Sequence, residues 1–133
     1  MEKIFNGISL FFAVAGGILA SVFGKWDTVM SALVILMALD YVTGVIKAVY
    51  TRTVSSEIGF KGILRKITIF VIVALANVVQ KLTGTGAVRE MVIMFYIANE
   101  GISILENIAS VSQKMPSSLK NILLQLRDKN DVQ

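Results

Sequence analysis

The chain contains no cysteine and no histidine, a single proline, and few charges: 17% of its 133 residues are Asp, Glu, Lys or Arg. Each absence removes chemistry. Without thiols there is no disulfide framework, no thiolate metal site and no cysteine nucleophile. Without imidazole the commonest general base and the commonest metal ligand are gone. Soluble domains carry roughly a quarter charged residues, so a lone water-soluble globule of this composition would lack the polar surface to cover itself. What is abundant is apolar side chain, 55% of the residues, with mean hydropathy +0.73. That excess excludes a solvated coil and points to a membrane protein of one domain.

Residues 4–24 form an uncharged run of 21 between Lys3 and Lys25. At 1.5 Å per residue the run reaches about 30 Å, the thickness of a hydrocarbon core. The competing reading is a secretory signal, but the run is longer than a signal core and Ser21-Val22-Phe23 is a poor small-x-small cleavage site. Residues 28–46 are apolar apart from Asp40. Residues 67–80 are only 14 between Lys66 and Lys81, too short to span unless Arg65, Lys66 and Lys81 snorkel to the interfaces. The alternative for this run is a helix buried among the others. Residues 91–111 include Glu100 and Glu106. Pro116 suits the first position of a last amphipathic helix, whose apolar stripe is Leu119, Ile122, Leu123 and Leu126. These patterns predict an all-α integral membrane protein with four hydrophobic helices over about 4–24, 28–50, 63–83 and 90–112, three or four of them spanning. A tail helix over 116–128 is expected to rest on the inner leaflet or bundle with copies of itself, ahead of a polar, frayed end.

Charge placement orients the chain. Between the second and third runs lie Lys47, Arg52, Lys61, Arg65 and Lys66 against the single acid Glu57, the strongest basic cluster present. The positive-inside rule places it in the cytoplasm. The tail, with Lys114, Lys120, Arg127 and Lys129, belongs on the same side, and an even number of spans satisfies both ends. A net charge of +4 and a pI near 9.5 do not indicate nucleic acid, because the basic groups flank apolar runs and no basic stripe with interleaved aromatics exists.

The polar residues inside the runs carry the remaining information. In the first helix Ala13, Gly17 and Ser21, and beside them Gly16, Ala20 and Gly24, recur every four residues. Such small-xxx-small rows let another helix approach closely, within one chain or between copies. In the second helix Asp40, Thr43, Gly44 and Lys47 share one face. A carboxylate at that depth costs about 2.5–3.5 kcal/mol on insertion scales unless it is partnered. Lys47 is about 10 Å away along the helix, so the candidates are a group from another helix or subunit, or a loop amide. The connector 51–62 is expected to be turn-rich, with helix-start chemistry at Ser55, Ser56 and Glu57. In the fourth segment Tyr96, Asn99, Glu100, Ser103, Glu106, Asn107 and Ser110 fall in an arc of about 120°. That stripe must meet water, headgroups or another polar face. Its acidic character favours a lumen or subunit contact over an in-plane helix, whose polar face is usually basic. No carboxylate has a base or nucleophile at an interpretable spacing, so neither an enzyme nor a cofactor is expected.

Four strings taken together resemble a known family. They are Asp40-Tyr41-Val42-Thr43-Gly44-Val45-Ile46-Lys47-Ala48, the basic stretch 55–66, the polar-striped stretch 95–107, and Met115-Pro116 with Leu119-Lys120. In this order they are similar to the phage lysis holins, a group that also includes toxin-secretion proteins of clostridia. The resemblance implies a phage or prophage product in the bacterial cytoplasmic membrane that homo-oligomerises and opens lesions, releasing an endolysin or a large toxin without having to contact it. It also keeps an antiholin regulator in view. The residues themselves leave room for a small four-helix transporter or channel, though the first helix has no acid and no internal repeat is present, and for a scaffold without a pore. The roles expected are packing through Ala13, Gly16, Gly17, Ala20, Ser21, Gly24 and Gly44, a lumen or intersubunit stripe from Tyr96 to Asn107, and register held by Asp40.

Overall fold

The computed structural model describes residues 1–112 and 116–130. It contains five helices: α1 (Glu2–Phe23), α2 (Thr28–Tyr50), α3 (Ser56–Thr83), α4 (Val88–Val111) and α5 (Ser117–Asn130). Lys114, Met115 and residues 131–133 lie outside the described residues. There is no strand among the described residues, and α1 to α4 are each long and apolar enough to cross a membrane. The fold is that of an all-α, multi-pass membrane protein.

Two boundaries differ from expectation. α3 starts at Ser56, not 63, because Ser55 in extended conformation accepts the Ile58 amide on its Oγ and so satisfies an open helix-start donor. Most of the connector expected to be turn-rich is therefore helix, and Lys61, Arg65 and Lys66 are helical residues. α1 stops at Phe23, and Gly24 is not part of its small-residue row. Gly24 has φ 80° and ψ −169°, a conformation essentially reserved for glycine. A Cβ there would also lie 2.7 Å from Arg89 Nε.

The apolar core consists of Met30, Leu33 and Met37 of α2, Ile69 and Val73 of α3, and Ile93 of α4. It occupies the end of the bundle nearer the α1–α2 and α3–α4 connectors. Outward, the helices show a continuous apolar surface, including Ile35, Val42, Val71, Leu75 and Val78. Such a belt is far larger than soluble monomers expose and matches a lipid environment. α1 has no fully buried residue and packs along α3, with one hydrogen bond to the start of α4 at its last residue. Within the protomer α5 packs on α4, with Leu123 seated where Gly101 leaves no side chain.

Candidate functional site

Asp40 and Glu100 sit near the middle of α2 and α4, where an unpartnered carboxylate is costly. Both meet one cation. Lys66 Nζ, from α3, donates to Asp40 Oδ2 and to Glu100 Oε2, each at 2.6 Å. The three side chains are largely withdrawn from the surface, at 17% exposure for Lys66, 16% for Asp40 and 9% for Glu100. Two turns along α4, Asn107 donates its Nδ2 to Asp40 Oδ1 at 3.2 Å and to Thr43 Oγ1 at 3.0 Å. Asp40 thus finds its partners on two other helices and not on a loop amide. Lys66, expected in the basic loop, belongs to this ionic layer. The short third run follows from the same fact: a lysine met by two carboxylates need not reach water, so α3 continues through it.

Beyond the layer α2 and α3 hardly touch, and a cavity of about 1310 Å³ opens between them and α4. Tyr96, Asn99, Glu100, Ser103 and Asn107 form its α4 wall, Asp40, Gly44 and Lys47 its α2 wall, and Arg65 and Lys66 its α3 wall. Most of the polar stripe is therefore turned to the interior of one protomer, while Glu106 and Ser110 are exposed. Gly44 faces Asn107, whose Nδ2 would lie 3.7 Å from an added Cβ, so this small residue belongs to the α2–α4 contact. Arg52 occupies the turn after α2 with φ 57°, and exposed Lys61 pairs with Glu57 at 2.8 Å one turn back. No group of three or more metal-ligating residues is assembled among the described residues. In α1, Gly16 and Gly17 face open space, with nothing within 4 Å of an added Cβ, and Ala13, Ala20 and Ser21 are exposed.

A second polar cluster, which the sequence reading missed, fastens α1 at the opposite end of the bundle. The last carbonyls of a helix have no intrahelical donor. Here Asn77 Nδ2 donates to Val22 O at 3.0 Å, Lys81 Nζ to Ser21 O at 3.0 Å, and Arg89 Nε to Phe23 O at 2.6 Å. Arg89, only 3% exposed, also donates to Lys25 O and to the Asp27 carboxylate at 2.7 and 2.9 Å. Asn77, Gln80 and Lys81 share a face of α3, and that spacing was the available signal.

The Arg89 hydrogen bond holds the Asp27 carboxyl below its ordinary 3.8, aided by the Met30 amide and opposed by burial. A carboxylate whose pKa is depressed on folding adds stability that is complete above the unfolded value and lost as pH falls through the folded one. Acidification from about pH 4 downward is therefore expected to loosen the α1–α2 corner. Asp27→Asn should show a smaller fall in thermal midpoint over that range; an identical acid profile would remove Asp27 from the clamp.

The profile of the bacteriophage holin family matches residues 17–128. The chain belongs to the bacteriophage holin family. Among its relatives, a 14.9 kDa protein from the nagH 3′ region of Clostridium perfringens is 40% identical over 131 residues, 97% of this chain and 99% of the other. A Listeria monocytogenes protein is 42% identical over 110 residues, 82% and 79% of the two chains. A protein of Bacillus phage phi105 named as a probable holin is 33% identical over 103 residues, 77% and 76%. No solved structure matches. The matched holin region takes in the ionic layer, the cavity, the Arg89 clamp and nearly all of α5, and it leaves out most of α1. Holins are not a family of enzymes.

Proposed function

We propose that this holin-family protein oligomerises in the bacterial cytoplasmic membrane and opens lesions through which a cytoplasmic endolysin, or a large toxin, leaves the cell. The N-terminus, the start of α5 and the basic end carrying Lys47, Arg52, Lys61 and Arg65 face the cytoplasm, in line with the positive-inside rule for four spans. The observation that carries the reading is α1. It is a helix of spanning length that buries nothing inside its own protomer and leaves its small residues unpartnered. Without a hydrophobic drive between helices in lipid, close backbone approach at such rows is what associates them.

Gly17→Leu separates assembly from folding, because a side chain there meets nothing in the monomer. The variant is expected to accumulate normally, to give a shortened cross-linking ladder and to delay lysis; a ladder identical to the wild type would remove this row from assembly. The function itself is tested by co-expressing the protein with a peptidoglycan-degrading enzyme that lacks an export signal. Abrupt clearing after a lag that needs both proteins is the expected result. Growth arrest without clearing favours a small channel or transporter, and no effect at verified membrane levels favours an antiholin or a scaffold.

A further inference from the structure

Most of the polar stripe of α4 faces Lys66, Asp40 and the cavity within one protomer. A second polar surface lies on α5. Gly101 lies ten residues before the end of α4, about 15 Å along the axis, half the thickness of a hydrocarbon core. Leu123 of α5 is packed against it, close enough that an added Cβ would sit 2.8 Å from Leu123 Cδ2. α5 therefore turns back along α4 and reaches the level of the ionic layer. At 100° per residue, Ser118, Asn121, Gln125, Asp128 and Lys129 fall in an arc of about 100° on the side of α5 opposite Leu123. All five are exposed, whereas Leu123, Leu126 and Asn130 are half-buried. At the same depth, α2 turns the exposed apolar side chains of Val42 and Ile46 away from the cavity. A polar and charged face at that depth does not suit acyl chains.

We propose that α5, docked on α4, lines the aqueous lumen of the lesion with the face formed by Ser118, Asn121, Gln125, Asp128 and Lys129. This rests on the holin reading and gives that reading its water-facing surface. The small residue at 101 brings α5 close against α4, while the apolar belt of α2 and α3 stays in lipid.

The test uses the absence of native cysteine. Gly101→Cys with Leu123→Cys removes the atoms a Cβ at 101 would meet and allows a disulfide that locks α5 onto α4. In the endolysin co-expression assay the oxidised double variant is expected to lyse at wild-type onset. Loss of lysis that reducing agent restores would overturn the proposal, because α5 would then have to leave α4. In the locked chain Asn121→Leu with Gln125→Leu is expected to abolish lysis, and Gln125→Glu to retain it. Retained lysis in the first, or loss in the second, would overturn a lumen and indicate a lipid-facing or a buried subunit contact respectively. Failure of the wild-type chain to lyse in the same assay defeats the holin reading itself, and is distinguished from these outcomes by that control.

Discussion

Lys66→Met is expected to destabilise the bundle more than any exposed substitution, by about 3–5 kcal/mol, the usual consequence of removing one partner of a buried ion pair. It leaves Asp40 and Glu100, both of which pair with Lys66 Nζ, without their common cation. The same principle makes a second, less intuitive outcome the decisive one. Replacing all three charges by similar-sized neutral groups, Asp40→Asn, Lys66→Met and Glu100→Gln, removes the mismatch together with the desolvation cost, and such neutralised clusters are often no less stable than the charged original. The triple variant should therefore recover most of the membrane accumulation and thermal midpoint lost by Lys66→Met. If it is as unstable as the single variant, the layer is not the closed charge set described here. Lysis onset in the triple variant then separates a structural layer from a functional one: unchanged onset means the charges serve only to join three helices.

Arg89→Gln is expected to release α1 while leaving α2, α3 and α4 packed. The substitution strips the donors from Phe23 O and Lys25 O, and an unsatisfied buried group costs about 1–3 kcal/mol. Asp27 loses its partner too, but its side chain is 36% exposed and water can replace part of that contact. The single tryptophan, Trp26, lies in the same connector, so its emission and quencher access report the change directly. Faster tryptic cleavage after Lys25 in the variant, with the core unaffected, is the second readout. Wild-type cleavage and emission would mean that the α3 contacts alone secure α1.

The elements of this fold were mostly legible in the sequence and the contacts between them were not. The four apolar stretches, Asp40 as a buried acid needing a distant partner, and the polar arc of α4 all follow from periodicity and transfer cost. Lys66 could not be read correctly from its neighbours. Beside Arg65 and at the edge of an apolar run it has the pattern of a snorkelling interfacial lysine, and only the meeting of α2, α3 and α4 makes it a buried counter-ion. Gly24 fitted the period of a small-residue row, yet its left-handed φ ends the helix there, a backbone property that spacing does not encode. The position of α5 was hidden for a similar reason: an amphipathic stripe states that a helix has an apolar side, not which surface covers it.

The clamp on α1 also bears on how the protein is made. Its donors, Asn77, Lys81 and Arg89, lie 55 to 66 residues downstream of the carbonyls they hold. α1 therefore leaves the ribosome well before its anchors, and it waits in the bilayer until α3 and the start of α4 have been synthesised. Translation order thus makes the attachment of α1 depend on synthesis of the chain as far as Arg89, and a nascent or truncated chain that stops before residue 77 carries α1 with none of its three anchors.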